Sequence, residues 1–202
     1  MDGLRTLGEQ VRDCQACRLA RGRTHAVPGS GAPDAEIMFV GEAPGFHEDQ
    51  QGLPFVGAAG QFLDQLLQSI GLTRSQVYIA NVVKCRPPNN RDPQPDELEA
   101  CRPFLDRQIA LIKPKIIVTL GRFSMQLAFP GTSISKVHGQ PVRIGDITYY
   151  PMFHPAAALH QPRYRTFIEQ DMLRLPALLE EIKAGQQSSP TSSSRPEQLS
   201  LF

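Results

Sequence analysis

Short apolar runs alternate along the chain with amphipathic stretches, in which apolar residues recur every three or four positions. The apolar runs predict buried strands at residues 35–40, 76–83 and 116–120, with two further short strands within residues 142–153. The amphipathic stretches predict helices at residues 2–13, 58–70, 96–112, 121–129 and 164–184. Because strands and helices alternate, we expect a parallel or mixed sheet with helices on both faces.

The composition changes at Gly185. The stretch GQQSSPTSSSRPEQ has no apolar residue to bury, so it predicts a flexible linker. We therefore expect a folded domain at residues 1–184 and a tail at residues 185–202. The chain has 202 residues, of which 41% are hydrophobic, and this is enough for one full core.

Charge and hydropathy narrow the possible classes of function. The formal net charge is +1, so the chain has no global basic field, although a local basic patch can still contact phosphates. The N-terminal segment is charged and does not resemble a signal peptide, and no run of about 18 apolar residues occurs. We therefore expect no membrane span and a cytoplasmic location, where thiols stay reduced.

Four cysteines, Cys14, Cys17, Cys85 and Cys101, indicate a metal or cluster site. The first two form a C-x2-C pair, and in a reducing compartment this pattern is typical of zinc or iron–sulfur ligands. Zinc sites usually contain two short C-x-x-C pairs, whereas the second pair here is widely split. The spacing favours a cluster, but zinc and a two-iron cluster also fit four cysteines.

Polar side chains follow three of the predicted strands. Glu42 comes after the first strand, Asn81 lies near the end of the second, and His154 follows the last. The loop of residues 41–60, GEAPGFHEDQQGLPFVGAAG, adds further acids and the aromatic Phe55. Open α/β sheets bind ligands at the carboxyl ends of their strands, and carboxylates beside an aromatic ring suit a flat, polar ligand. The Asn81 amide in particular matches the edge of a pyrimidine. Taken singly, each of these residues also fits a structural role, such as a loop or helix cap or core packing, and it is their combination at three strand ends that favours a site.

With these motifs the chain resembles the family 4 uracil-DNA glycosylases, the iron–sulfur class found in bacteria and archaea. The resemblance covers residues 1–183 and rests on the C-x2-C pair, GEAPG, PFVGAAGQ, the N-x3-C-R-P-P stretch of residues 81–88, Cys101, and HPAAAL at residues 154–159. It implies a three-layer α/β/α fold around a central four-stranded, mostly parallel sheet. It also implies a structural [4Fe–4S] cluster on Cys14, Cys17, Cys85 and Cys101.

The reaction implied by the resemblance is hydrolysis of the N-glycosidic bond of deoxyuridine, which leaves an abasic site and starts base excision repair. The uracil first leaves the base stack. Phe55 then stacks on the flipped ring, Asn81 reads its O4 and N3 edge, and Glu48 crowds ring carbon 5 and so excludes the methyl group of thymine. Cytosine presents the opposite donor and acceptor pattern and leaves Asn81 unpaired.

The charges that develop in the transition state account for the remaining implied roles. Negative charge grows on the uracil ring, where neutral His154 and the backbone amides from Gly41 to Ala43 stabilise it at O2. The sugar becomes cationic in the same step, and Glu42 stabilises it and positions or activates water. The sequence leaves open whether Glu42 acts as a base or as an electrostatic partner.

The stretch HPAAALHQPRY resembles the loop that enters DNA at the flipped base. Leu159 is the candidate wedge into the vacated stack, with ordinary core packing as the alternative. Candidate phosphate contacts, each of which also fits a solvated surface charge, are Arg86, Arg91, Arg163 and Arg165. The expected partner is uracil-containing DNA, single- or double-stranded, and the expected location is with the nucleoid.

Several other functions fit the sequence less well. Family 5 enzymes lack the carboxylate that Glu42 supplies, and the cross-linking relatives carry GEQPG and an added basic loop, whereas this chain has GEAPG without such an insertion. A non-catalytic iron–sulfur DNA-binding module is disfavoured because Glu42, Asn81 and His154 are all present. A P-loop enzyme is excluded because no GxxxxGK[ST] motif occurs. A superfamily relative with a different lesion specificity stays open.

The last five residues, QLSLF, resemble the peptide by which bacterial proteins bind the sliding clamp. In this pattern Leu199, Leu201 and Phe202 are the apolar positions, and Gln198 fixes the chain by hydrogen bonds; an unstructured end is the alternative. A flexible linker would tether the enzyme to the clamp and raise its local concentration at DNA. We expect a monomer, because no heptad or extra apolar stripe suggests a partner helix.

Overall fold

Four parallel strands form the centre of the sheet. They lie in the order β3 (Tyr78–Asn81), β2 (Ile37–Gly41), β4 (Ile116–Leu120) and β6 (Ile147–Met152) in the computed structural model, which describes residues 2–187. Two short antiparallel strands, β1 (Ser30–Gly31) beside β3 and β5 (Val142–Ile144) beside β6, extend the edges. The predicted α/β fold is confirmed, but the sheet of the described residues has six strands instead of the four that the resemblance implies.

Four long helices cover the sheet. They are α1 (Asp2–Asp13), α3 (Ala58–Ser69), α4 (Pro95–Ile112) and α8 (Arg163–Gln187). The connecting segments contain the short helices α2 (Phe46–Gln51), α5 (Arg122–Met125), α6 (Ile134–Val137) and α7 (Pro155–His160). They also contain 3-10 turns at Arg18–Arg21 and Pro88–Asn90.

The sheet separates two apolar layers, because successive residues of a strand point to opposite faces. On one face, Phe39 belongs to a cluster with Phe62 of α3 and Ile168 of α8. On the other face, Met38 belongs to a cluster with Leu105 of α4. Strands β2, β3 and β4 are buried along their whole length, as expected for a parallel sheet covered on both sides. The three-layer arrangement is therefore confirmed.

Some predicted boundaries were wrong. The predicted helix of residues 121–129 is only the short α5: after Met125 the chain tightens into turns, in which the N–H groups of Gln126 and Leu127 donate to carbonyl oxygens three residues back. The loop predicted at residues 41–60 contains α2 and the beginning of α3, and the segment after His154 contains α7. Helix α8 continues to Gln187, past the predicted domain boundary at residue 184.

Two further expectations concern the C-terminal tail and membrane-spanning helices. The clamp-binding residues Gln198, Leu199, Leu201 and Phe202 lie outside the described residues. Within residues 2–187, the helices lack the combination of length and apolar character that is needed to cross a membrane.

Candidate active site

A cleft of about 740 Å³ opens at the carboxyl ends of the parallel strands. Each central strand supplies one side chain to it: Glu42 follows β2, Asn81 ends β3, Arg122 follows β4 and His154 follows β6. The rest of the lining comes from Ala43, Pro44, Gly45, Glu48, Phe55, Ala59, Pro87, Asn90, Arg91, Asp92, Ala156 and His160. The structure therefore brings together the residues that the sequence separates into three strand ends and one loop.

Asn81 has a buried acceptor without a partner. Its side chain is only 2% exposed, and its Oδ1 makes no hydrogen bond within the described residues. Leaving a buried polar atom unpaired costs about 1–3 kcal/mol, so such an atom is expected to meet a ligand. Gly41, which pairs with Asn81 across the two strands, keeps the neighbouring space open. A Cβ on Gly41 would lie 2.5 Å from Asn81 Oδ1 and 2.6 Å from Phe55 Cζ.

The Phe55 ring is held at the cleft by an unusual backbone. Phe55 has a φ of +54°, in the left-handed region that non-glycine residues rarely adopt. The Arg74 guanidinium secures this segment by donating hydrogen bonds to the carbonyl oxygens of Pro54, at 2.9 Å, and of Phe55. A Cβ at Gly60 would lie 1.7 Å from the Phe55 carbonyl oxygen, so a larger residue at position 60 would displace the loop. The role of Arg74 could not be predicted from the sequence, because no local pattern links it to Phe55.

His154 is a neutral imidazole with a defined tautomer. It precedes α7, and its Nδ1 accepts a hydrogen bond of 3.1 Å from the backbone N–H of Ala156. The proton of the neutral ring therefore resides on Nε2, which is left as a donor. Burial lowers the pKa of His154 to about 4, although the charge of Glu48 opposes this shift. The ring stacks on Phe55, with centroids 5.5 Å apart and planes inclined by 24°.

Glu42 titrates near neutral pH. Burial raises the pKa of its carboxyl to about 7, the negative charge of Asp92 adds to this effect, and Arg122 opposes it. Asp92 and Arg122 form an ion pair with each other at the cleft. A carboxyl group whose pKa lies near the operating pH is suited to proton exchange in catalysis. The sequence analysis missed Asp92 and Arg122, although Arg122 comes almost directly after a predicted strand.

Glu48 organises the loop between β2 and α3. Its Oε1 accepts hydrogen bonds from the backbone N–H groups of Val56, at 2.8 Å, and Gly57, at 2.9 Å. Its Oε2 accepts a hydrogen bond of 3.1 Å from the N–H of Gly45, just before α2. These three donors hold the carboxylate at the cleft and connect α2 to the segment that carries Phe55.

The four cysteines line one small apolar void. Cys14 and Cys17 follow α1, Cys85 follows β3 and Cys101 lies in α4, so three separate parts of the fold converge there. Three of the sulfurs accept hydrogen bonds, from Ala16 N to Cys14 Sγ at 3.4 Å, from Arg23 Nη1 to Cys85 Sγ at 3.1 Å, and from Lys84 N to Cys101 Sγ at 3.2 Å. Donors directed at sulfur are typical of thiolate ligands, and the set therefore fits a thiolate-ligated group. Among residues 2–187, no cluster of three or more His, Cys, Asp or Glu side chains is arranged around a single metal-ion position.

Lys84 connects the cysteine site to the cleft, and the sequence analysis did not anticipate this. Its backbone N–H contacts Cys101, as described above. Its side chain is 1% exposed, and the ammonium group donates hydrogen bonds to the Asn81 carbonyl oxygen, at 2.8 Å, and to Gln108 Oε1, at 2.6 Å. The strand end that carries Asn81 is thus held from the side of the cysteines.

The candidate DNA-contacting residues differ in their surroundings. Leu159 is 50% exposed, which contradicts the core-packing alternative, and its neighbour His160 lines the cleft. Arg91 forms a two-pronged ion pair with buried Glu97, at 2.6 and 2.9 Å, so it holds the loop before α4. The other three arginines each lie over an aromatic ring: Arg86 over Phe46, Arg163 over Tyr164 and Arg165 over Phe62. Arg165 is also paired with Glu169.

The chain is similar to known proteins over most of its length. The family model of the uracil DNA glycosylase superfamily matches residues 28–174. The type-4 uracil-DNA glycosylase of Sulfurisphaera tokodaii is 53% identical over 185 residues, which cover 87% of this chain and 84% of the relative. The type-4 enzyme of Saccharolobus solfataricus is 49% identical, with 87% and 86% covered, and that of Thermotoga maritima is 48% identical, with 76% and 81% covered.

Proposed function

Because the chain belongs to the uracil DNA glycosylase superfamily and, within it, to the type-4 enzymes, we propose that it removes uracil from DNA. The reaction is hydrolysis: the bond between uracil N1 and the sugar C1′ breaks, and the oxygen of water bonds to C1′. Uracil departs with the bonding electron pair and takes up a proton, and an abasic site remains in the strand. The enzyme is monofunctional and acts at the first step of base excision repair.

The observation that carries this proposal is the unpaired Asn81 Oδ1 beside Phe55. In the proposed complex, the N3–H of uracil donates to Oδ1, and the Asn81 Nδ2 donates to uracil O4. Cytosine has an acceptor at N3 and a donor at N4, so the same amide would face it with two mismatched contacts. A site built for hydrogen bonding rejects such an analogue strongly, because its buried polar groups stay unpaired.

The rest of the pocket supports recognition of a flipped base. Flipping costs a few kcal/mol, and least when the base is mispaired or in a single strand. We assign Phe55 to stacking on the uracil ring. We assign Glu48 to the wall beside ring carbon 5, where a thymine methyl group would meet a carboxylate that three backbone donors hold in place.

The chemical step uses groups whose protonation states suit it. As the bond breaks, negative charge develops at uracil O2, and we assign the His154 Nε2–H and the backbone N–H groups from Gly41 to Ala43 to its stabilisation. A neutral imidazole can serve as this donor without releasing a proton, and the low pKa of His154 supports that role. We assign Glu42, in its ionised form, to stabilising the cationic sugar and orienting the attacking water.

The four cysteines fit a [4Fe–4S] cluster with a structural role. Bound there, the cluster would supply iron–thiolate bonds from Cys14, Cys17, Cys85 and Cys101, which cross-link the end of α1, the loop after β3 and α4. The apolar void and the N–H donors to sulfur support this assignment. Lys84 would transmit that rigidity to the Asn81 end of β3 through its contact with the carbonyl oxygen.

We assign Leu159 to the wedge that fills the vacated stack, and Arg86 and Arg163 to the DNA surface beside it. The exposure of Leu159 and its place between cleft-lining residues of α7 support the first role. The arginines supply local positive charge to a chain whose net charge is only +1. We expect the enzyme to act as a monomer in the nucleoid.

The QLSLF segment is proposed to bind a bacterial sliding clamp through Leu199, Leu201 and Phe202, with Gln198 hydrogen-bonded to the clamp. A chain that ends at Ala184 should lose clamp binding in a pull-down or by surface plasmon resonance. Equal binding by the shortened and the full chain would contradict this proposal.

The test of the main proposal is cleavage of a labelled oligonucleotide with one U·G pair, followed by alkali, beside a T·G control. We expect breakage at uracil only. His154→Ala should be slower by about 10²–10³-fold in kcat, the loss typical of one oxyanion donor. Absence of cleavage at uracil by the cluster-loaded wild type would overturn the enzyme proposal and favour a non-catalytic DNA-binding module or another lesion.

A further inference from the structure

Two exposed apolar side chains adjoin the cleft. Within the described residues, the large apolar side chains that are most exposed are Phe46, Leu53, Leu111, Ile144, Leu159, Phe167 and Leu173. Of these, Phe46 and Leu159 are direct sequence neighbours of cleft-lining residues, Gly45 and His160 respectively. The proposed function assigns a role to Leu159 and leaves Phe46 unexplained.

Phe46 forms a composite surface with Arg86. Phe46 is 51% exposed at the beginning of α2, and the Arg86 guanidinium carbon lies 5.1 Å from the centroid of its ring. Arg86 is oriented in turn by a hydrogen bond of 2.7 Å from its Nε to Asn90 Oδ1, and Asn90 lines the cleft. The His47 ring packs nearly perpendicular to Phe46, with centroids 5.5 Å apart.

Both members of this pair continue directly from the walls of the cleft. Phe46 follows Gly45, and Arg86 precedes Pro87, and both Gly45 and Pro87 line the cleft. A DNA strand whose flipped uracil lies in the cleft must leave the cleft across its rim. The part of the rim formed by Phe46 and Arg86 presents an exposed aromatic ring beside a cation. Proteins bind single-stranded nucleic acid without reading its sequence through two features: aromatic rings on which the bases stack, and positive charges that contact the phosphate backbone.

We propose that Phe46 and Arg86 form a stacking subsite for the nucleobase next to the flipped uracil on the same strand. The base stacks on the Phe46 ring, and the Arg86 guanidinium holds the ring and faces the adjoining phosphate. The subsite accepts any base, because every base has a π face that can stack on the Phe46 ring. This inference rests on the proposed function, since it places the flipped uracil in the cleft.

The experiment compares single-stranded oligonucleotides in which the nucleotide on the 5′ or the 3′ side of deoxyuridine carries a base or is a tetrahydrofuran abasic analogue. The phosphates are identical, so the comparison isolates the neighbouring base. For the wild type we expect kcat/KM to fall by about fivefold or more when the base is absent on one side, in line with the loss on removing one base–aromatic stack. The ratio of kcat/KM with the neighbouring base to kcat/KM without it measures this effect. For Phe46→Ala the ratio should fall to about 1, and Phe46→Trp should restore the wild-type ratio.

Leu173→Ala is the matched control, because Leu173 is 59% exposed on α8 and does not line the cleft. It should keep the wild-type ratio. Two results would overturn the proposed subsite: an unchanged ratio in Phe46→Ala, or a wild type whose kcat/KM does not depend on either neighbouring base. If the wild type removes no uracil, the proposed function fails. The subsite is then tested by the affinity for labelled strands with a central abasic analogue, measured by fluorescence anisotropy. The wild type should bind more tightly when a base stands next to the abasic position, and Phe46→Ala should lose this preference.

Discussion

At the scale of single residues, burial acts in opposite directions on the two titratable groups of the cleft. It disfavours the charged form of each, so it raises the pKa of Glu42 to about 7 and lowers that of His154 to about 4. Around neutral pH, His154 is uncharged and Glu42 is partly ionised. One physical cause thus prepares a neutral hydrogen-bond donor and a carboxylate that is ready to meet positive charge.

The first prediction concerns pH. Because the proposed step needs ionised Glu42, kcat/KM for uracil excision should rise with pH through an inflection near 7. Asp92→Asn removes a negative neighbour and frees Arg122 from its ion pair, so both effects should move the inflection to lower pH. Asp146→Asn, in an exposed turn, is the control and should leave the profile unchanged. An upward shift in Asp92→Asn would contradict the argument.

The second prediction concerns Gly41. In Gly41→Ala the new methyl group would lie within 2.6 Å of both Asn81 and Phe55, so the amide and the ring must move apart. We expect loss of uracil excision by at least about 100-fold, as for other small misplacements in a site that depends on orientation. Gly22→Ala, where a Cβ meets open space, should retain wild-type kinetics. Wild-type activity in Gly41→Ala would show that the gap beside Asn81 is not used.

At the scale of elements, residues 54–57, just before α3, owe their form to contacts from Arg74 and Glu48, which lie outside this stretch. Arg74 holds the carbonyl oxygens of Pro54 and Phe55, and Glu48 holds the N–H groups of Val56 and Gly57. These bonds offset the unfavourable left-handed conformation of Phe55, which by itself costs on the order of 1–3 kcal/mol.

The third prediction follows from this arrangement. Arg74→Ala leaves the part-buried carbonyl oxygens of Pro54 and Phe55 without their donor and removes the ion pair with Asp64, so the free energy of unfolding should fall by about 1–3 kcal/mol in urea denaturation. Since Phe55 also loses its support, kcat/KM for uracil should fall as well. Arg102→Ala removes an exposed i,i+4 ion pair and should cost no more than about 0.5 kcal/mol. Equal losses in the two variants would contradict a specific role for Arg74.

At the scale of the whole molecule, the cysteine site joins parts of the chain that are distant in sequence. Cys14 and Cys17 approach Cys85 and Cys101 only after α1 packs on α4 and the loop after β3 turns between them. A group bound to all four sulfurs would therefore stabilise the folded chain relative to the unfolded one by binding the native arrangement.

The fourth prediction tests that group. The purified wild type should contain iron and acid-labile sulfide in equal amounts, and Cys101→Ser should lose most of both. Its melting temperature should also fall by several degrees, since in a domain of this size a loss of roughly 1 kcal/mol lowers the melting temperature by about 2–4 °C. Zinc in place of iron in the wild type would contradict the cluster assignment.

Much of the fold and part of the site could be predicted, and the failures have a common origin. Strands β2, β3 and β4 were found because each lies in a continuous apolar run. Strands β5 and β6 were found from the turn signal between them, the residues IGD. Strand β1 and helices α2 and α7 were missed because they are too short to show periodicity. They exist because β1 pairs with β3, Glu48 connects α2 to the Phe55 segment, and the His154 ring accepts a hydrogen bond from the first turn of α7.

The sequence by itself determined the alternation of strands and helices, the presence of Glu42, Asn81 and His154 near strand ends, and the four cysteines. These depend on local order along the chain, which periodicity and motif spacing record directly. The tertiary structure alone decided the pKa of Glu42, the tautomer of His154, and the unpaired oxygen of Asn81 beside Gly41. Burial, charge and hydrogen bonding act through space, between residues that only folding brings together.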